Sequence, residues 1–142
     1  MLKTKIEINY RQLYIIDAKA GCLGRLVVKI VKLLQFFKLS FHYLNPLKNL
    51  KLVILNSSKL SLSANKLKNK EYMKYSGYFG GESYIKLKDL YEKNPNKVIF
   101  LALKNMLPKN NFFKNYLRKN VKIYSGDYFS DKIKYSQYIH CN

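Results

Sequence analysis

Cations, aromatic rings and glycines occur together in one stretch of the sequence, residues 66–81, which has no core periodicity of either kind. Lysines can neutralise phosphates, tyrosine and phenylalanine rings can stack on unpaired bases, and glycines let a backbone approach a sugar–phosphate chain closely. The pattern favours a functional loop that binds RNA rather than duplex DNA. On composition alone, a solvated loop whose aromatic residues cover the edge of the core remains an alternative. The candidate RNA-binding residues are Lys66, Lys68, Lys70, Tyr72, Lys74, Tyr75, Ser76, Gly77, Tyr78, Phe79, Gly80 and Gly81.

A glycine turn, Gly21-Cys-Leu-Gly24-Arg25, lies between a predicted strand and a predicted helix. Helix N-termini and glycine backbones bind anions, so a nucleotide-using enzyme is one hypothesis, and it predicts saturable mononucleotide binding. However, the turn matches neither G-x-G-x-x-G nor a P-loop, and no acidic residue follows about 20 residues later to hold a ribose. The sequence favours a tight turn that lets Arg25 reach a backbone phosphate, with Lys29 and Lys32 on the same helical stripe.

Residue types that carry out catalysis or bind metals are few and scattered. His42 and His140 are the only histidines, and the two cysteines lie far apart, outside any C-x-x-C spacing. Asp17 follows a predicted strand, where a turn or cap role explains it as well as catalysis does. We therefore expect no enzyme activity, no metal, no cofactor and no small-molecule substrate.

Composition defines a folded, strongly basic protein. The 142 residues include 27 lysines and arginines against 8 acidic residues, a formal charge of +19, yet 48% are hydrophobic. Such a charge opposes compaction unless a polyanion neutralises it, and nucleic acid and an acidic membrane are the usual candidates. No apolar run approaches a membrane span, and no strongly amphipathic terminal helix is present to insert. Nucleic acid is the favoured partner, and a membrane is not expected.

Periodicity along the chain predicts strands that alternate with helices. Helices are expected from near Arg25, around 89–91, from Asn94 and Pro95 to Pro108, and over 110–119, whereas 65–81 is a loop. Strands separated by helices favour a small α/β sandwich, a parallel sheet with right-handed crossovers and helices on both faces. The predicted strands are 13–18, 50–55, 58–63 and 121–124.

Short motifs along nearly the whole chain resemble the bacterial-type large-subunit ribosomal protein uL13 (L13) family, and they follow the order of that family. No single motif is decisive, but together they are specific. The motifs are Ile16-Asp-Ala18, Leu23-Gly-Arg-Leu26, Val53-Ile-Leu-Asn56, Asn65-Lys66, Lys70-x-Tyr72, Tyr75-Ser-Gly-Tyr-Phe-Gly-Gly81, Met106-Leu-Pro-Lys109, Arg118-Lys119 and Val121-Lys-Ile-Tyr-Ser-Gly126.

The resemblance implies a single domain over residues 1–142 with short terminal extensions. Its fold is three-layer α/β/α on a small, mainly parallel, four-stranded sheet. It implies a structural constituent of the large ribosomal subunit that binds and packs large-subunit rRNA, contacts neighbouring ribosomal proteins and supports assembly and translation. The excess of lysine over arginine fits an AT-rich genome, so the ribosome is expected in an organelle (mitochondrion or plastid) or in a bacterial cytoplasm. Outside the glycine-rich stretch, the expected phosphate contacts are Arg25, Lys29, Lys109, Lys114, Arg118, Lys119 and Lys122.

Overall fold

The computed structural model describes residues 12–19, 21–40, 50–128 and 136–140. Four parallel strands lie in the order β5-β2-β1-β6, and β3 and β4 form a separate antiparallel pair. The strands are β1 (Gln12–Asp17), β2 (Leu50–Leu55), β3 (Glu71–Tyr75), β4 (Glu82–Lys86), β5 (Val121–Ile123) and β6 (Ser136–His140). The helices are α1 (Leu23–Ser40), α2 (Ala64–Asn69), α3 (Leu87–Lys93), α4 (Pro95–Met106) and α5 (Asn111–Asn120), with a short 3₁₀ helix at Ser57–Lys59.

Strand β2 is buried on both faces, as its near-continuous apolar sequence predicts. Leu50, Leu52 and Ile54 point to the face covered by α1, α4 and α5, where they join the main hydrophobic cluster. Val53 and Leu55 point to the opposite face and form a second buried cluster, against which Tyr124 packs. Both faces of the parallel sheet therefore exclude water.

Helices α1 and α4 pack against each other on the first face. The apolar residues of α1 recur at helical spacing, and Leu26, Ile30 and Leu34 are fully buried. Helix α4 starts as predicted, because the Asn94 side chain accepts a hydrogen bond of 3.3 Å from the Lys97 amide and Pro95 occupies the first turn. Its last residue is Met106, just before Pro108.

The predicted strand at 58–63 is wrong. Asn56 adopts a left-handed conformation with φ of 59°, and the chain turns there into the 3₁₀ helix. The buried Ser57 hydroxyl donates to the Asn96 side chain, and the Tyr91 hydroxyl lies 2.8 Å from the Ser58 carbonyl oxygen. These side-chain bonds take the place of a strand ladder, and only an isolated bridge between Ser61 and Cys22 remains.

The interpretation of 65–81 as a loop is also wrong for most of its length. Residues 64–69 form α2, and 71–75 form β3, which pairs with β4 in a hairpin. The α/β class is confirmed, but the strands are not all those that the sequence predicts. The antiparallel hairpin is an addition, the strand at 58–63 is absent, and β6 was not predicted.

Candidate nucleic-acid interface

A groove lies where the end of α4 meets the start of α5, and it encloses about 350 Å³. Its floor is apolar, because Leu107, Phe113 and Leu117 line it and are all buried. Its rim is basic, and the described residues that line it include no carboxylate. The rim cations are Lys104, Lys109, Lys114 and Arg118.

Sequence and local geometry explain how the groove forms. Pro108 separates the two helices, and the Asn110 amide donates to its carbonyl oxygen over 2.8 Å, which tightens the turn. Helix α5 is strongly amphipathic, with Phe113, Tyr116 and Leu117 buried on one side and its lysines exposed on the other. Because α5 packs against β2 and β5, its basic side faces outward beside the groove.

Tyr116 ties α5 to the sheet. Its hydroxyl donates to the Leu50 carbonyl oxygen over 3.2 Å, and burial raises the pKa of the phenol well above its usual value. The folded protein therefore holds this proton more tightly than the unfolded chain does. The stability that the neutral phenol contributes is fully present below about pH 10 and is lost as the pH rises toward the folded-state pKa.

We expect Tyr116→Phe to remove the loss of unfolding free energy that ionisation of this phenol causes at alkaline pH. At pH 7 the variant should lose about 1 kcal/mol of unfolding free energy, because the buried Leu50 carbonyl loses its donor. Above pH 10 the wild type should lose up to about 1.4 kcal/mol per pH unit relative to the variant. Urea unfolding of both proteins from pH 8 to pH 11 measures the difference. Curves that stay parallel across this range would contradict a buried, neutral Tyr116.

The hairpin turn, residues 76–81, depends on glycine at defined positions. Gly77 and Gly80 have φ of 94° and 74°, which side chains rarely adopt. The Gly81 amide donates a hydrogen bond of 2.9 Å to the Tyr78 carbonyl oxygen. A β-carbon at residue 81 would lie only 3.0 Å from that oxygen. The glycines therefore make a tight turn that presents Tyr78 and Phe79 at its tip.

The aromatic residues of the hairpin differ in how far they are exposed. Tyr78 and Phe79 project into solvent, with exposures of 80% and 107%. Tyr72 instead packs partly against the main hydrophobic cluster, beneath the Lys70 ammonium at 5.4 Å from the ring centre. Burial raises the pKa of Tyr72, and its hydroxyl has no hydrogen-bond partner among the described residues. Its ring is therefore less accessible to a base than the two at the tip.

All the predicted cationic residues are exposed, but they fall into separate groups. Lys109, Lys114 and Arg118 meet at the groove. Arg25 and Lys29 lie on α1, Lys119 follows on α5 and Lys122 is on β5. The remaining cations lie on α2 and the hairpin and are Lys66, Lys68, Lys70 and Lys74. The predicted residues without charge that follow them in the hairpin are Tyr75, Ser76, Gly77, Tyr78, Phe79, Gly80 and Gly81.

Lys104 is the groove cation that the sequence pattern did not identify. It lies in the last turn of α4, five residues before Lys109, and Pro108 lies between them. A basic residue in the last turn of a helix interacts favourably with the negative end of the helix dipole, and this is the ordinary explanation of such a lysine. Its proximity to the turn was the available signal for a binding role.

The glycine turn before α1 connects strand to helix as predicted. The Gly21 amide donates to the Ala18 carbonyl oxygen over 3.2 Å, which closes the turn, and Arg25 is exposed in the first turn of α1. Asp17 accepts hydrogen bonds from the Lys19 amide at 2.8 Å and from the Asn56 side chain at 2.9 Å. Asp17 therefore has a structural role at the end of β1, linking it to the end of β2.

Metal sites and membrane spans are both absent from the described part of the chain. No group of three histidine, cysteine or acidic side chains is placed to hold a metal ion there. Within the same residues, no helix is both long enough and apolar enough to cross a membrane.

Comparison with known proteins identifies the family. The sequence model for the family described as Ribosomal protein L13 matches residues 11–129. Proteins named large ribosomal subunit protein uL13 from Helicobacter pylori (strain Shi470) and Helicobacter acinonychis (strain Sheeba) are each 36% identical over 128 residues, covering 89% of this chain and 90% of theirs. The protein of that name from a Nitratiruptor species is 39% identical over 120 residues, which is 82% of each chain. The chain belongs to the ribosomal protein L13 family.

Proposed function

We propose that the protein is a structural constituent of the large ribosomal subunit that binds and packs large-subunit rRNA, and so supports subunit assembly and translation. The L13 family is a family of ribosomal structural proteins and not of enzymes. The observation that carries the RNA-binding part is the groove, where four cations surround an apolar floor and the described lining contains no carboxylate. Phosphates fit such a rim, and a sugar or base fits such a floor.

Charge neutralisation is the proposed mechanism at the groove. Lysine and arginine at the rim replace condensed counterions on the RNA backbone, whose release favours binding. The α5 N-terminus lies beside Asn110 and Asn111, which line the groove, and its first turn holds no acidic residue, so the helix dipole adds to the positive potential. Lys119 and Lys122, together with Arg25 and Lys29 on α1, would extend these contacts beyond the groove.

The hairpin supplies a second proposed contact of a different kind. Tyr78 and Phe79 are the exposed rings at the tip, and base–aromatic stacking needs this exposure. The glycines around them keep side chains away from an approaching backbone, and Lys66, Lys68, Lys70 and Lys74 supply cations on the adjoining segments. Tyr72 is left out of the stacking proposal because its ring packs against the core.

Sedimentation tests the ribosomal role directly. The tagged full-length protein in a native lysate is run through a sucrose gradient, at salt that removes loosely held basic proteins, and fractions are probed for the protein and for large rRNA. We expect it to migrate with the large subunit, because shape-matched packing into folded rRNA does not weaken with salt as purely electrostatic attraction does. Migration at the top of the gradient, or release at modest salt, would contradict the proposal.

We also propose that the described fold is part of one three-layer α/β/α domain that spans the chain. Burial on both sides of the sheet supports it: Leu13, Ile15, Val53 and Leu55, on the face away from α1, α4 and α5, are each no more than 8% exposed. An apolar sheet face of this kind must pack against another layer of the protein to exclude water.

A further inference from the structure

One face of the β3–β4 hairpin points away from the core. Side chains alternate along a strand, and Tyr72 packs inward, so its neighbours in β3 project outward with their partners in β4. All the residues of this face are exposed. The outer hairpin face comprises Glu71, Met73, Tyr75, Glu82, Tyr84 and Lys86.

The centre of the outer hairpin face is apolar. Met73 is paired with Tyr84 across the strands, and Tyr75 lies diagonally beside Tyr84. Their exposures are 61%, 54% and 59% for Met73, Tyr75 and Tyr84 respectively. A contiguous group of large exposed side chains of this kind, bordered by charged residues, is typical of a binding surface.

Carboxylates flank this centre in a chain that otherwise has few. Glu71 and Glu82 lie at opposite ends of the outer hairpin face, and neither forms an ion pair with a described residue. The Tyr84 hydroxyl donates to a Glu82 carboxylate oxygen over 3.0 Å, which orients that group. The outer hairpin face holds two glutamates and one lysine, a formal charge of −1, whereas the whole chain carries +19.

We propose that the outer hairpin face binds a lysine- and arginine-rich segment of another polypeptide. An arginine can stack on a tyrosine ring while its guanidinium pairs with a carboxylate, and Tyr84 beside Glu82 offers both partners together. Glu71 offers a second charge partner at the other end. The proposal rests on the proposed ribosomal function, because a place in the large subunit would put this face among other basic proteins.

Charge argues against the two other occupants. RNA phosphates would face Glu71 and Glu82, which repel them, whereas the groove offers the same phosphates four cations. In a symmetric contact, a second copy of the chain would bring its own Glu71 and Glu82 to this face and not the basic segment that could pair with them. The tip residues Tyr78 and Phe79 lie outside the outer hairpin face and keep their proposed RNA contact.

Site-specific photocrosslinking in whole cells tests the proposal. The full-length protein carries p-benzoylphenylalanine in place of Tyr84, and after irradiation the adducts are purified under denaturing conditions and mapped by mass spectrometry. We expect crosslinks to a polypeptide segment rich in lysine and arginine. An RNA adduct, a crosslink to a second copy of the chain, a crosslink to a segment without basic residues, or no adduct would each overturn the proposal.

Two matched comparisons sharpen the result. Glu71→Gln with Glu82→Gln should lower the adduct yield about fivefold, whereas Asp89→Asn with Glu92→Gln, the same charge change on α3, should leave it within about twofold. The same photoprobe at Asn105, which lines the groove, should crosslink RNA. Absence of RNA at Asn105 alone would contradict the proposed RNA contact, while the result at Tyr84 reports separately on the outer hairpin face.

Discussion

Replacing Phe113 by alanine is expected to lower the free energy of unfolding by about 3–5 kcal/mol. Phe113 is 1% exposed and belongs to the main hydrophobic cluster, where it fixes α5 against the sheet and forms part of the groove floor. Truncation removes the transfer free energy of a buried ring and leaves a cavity. Since domains of this size have total stabilities of about 5–15 kcal/mol, the variant should be close to unfolding. Urea unfolding followed by far-ultraviolet circular dichroism measures the change.

The adjacent Phe112 provides a matched control. The two rings meet edge to face with centres 5.5 Å apart, so either alanine variant loses this aromatic pair, worth about 0.5–1.5 kcal/mol. Phe112, however, is 38% exposed and leaves little cavity behind. Phe112→Ala should therefore cost at least about 2 kcal/mol less than Phe113→Ala, an order-of-magnitude estimate from large-to-small substitutions. Equal losses would show that α5 is not anchored through Phe113.

Removal of three groove cations is expected to produce the largest loss of RNA affinity. The variant combines Lys109→Ala, Lys114→Ala and Arg118→Ala, at three residues that line the groove. If each neutralises one phosphate, the slope of log affinity against log salt should fall in magnitude by about 2–3. Affinity near 0.1 M salt should fall on the order of a hundredfold. Filter binding to transcribed large-subunit rRNA over a range of salt concentrations measures both quantities.

A variant of equal charge separates local contact from overall attraction. Lys88, Lys93 and Lys97 are exposed on α3 and at the start of α4, and none of them lines the groove. Their combined replacement by alanine lowers the net charge by the same three units but should change the slope by less than about 1. Similar slopes for the two triple variants would contradict a specific role for the groove.

Local signals were sufficient where one residue type decides the structure. Asn94 and Pro95 fixed the start of α4, the apolar run of β2 indicated a strand covered on both faces, and helical spacing identified α5. Alternation failed at 58–63, because its period does not reveal that Asn56 turns the chain and that Tyr91 binds the local carbonyl groups. There, contacts between residues distant in sequence override the local preference for a strand.

The sequence predicts which residues are candidates for the site, but it does not predict which of them lie together. The cations around Lys109 and Arg118 could be identified one by one, but only the packing of α5 beside the end of α4 brings them together. In the hairpin, two short strands rich in tyrosine on either side of a glycine turn were a usable signal. Reading that stretch by composition alone concealed the alternation that directs Tyr72 inward and Tyr84 outward.

The pairing of β1 with β6 has a consequence for how the protein is made. Leu13 lies opposite Ser136, so one side of β1 finds its partner only after more than a hundred further residues have been synthesised. At about 5–20 residues per second, the nascent chain waits on the order of ten seconds with that strand edge unpaired. Unpaired edges recruit other strands, and long-range parallel pairing is slow. The hairpin, whose strand pairing is local, can form on the ribosome while β1 still lacks β6.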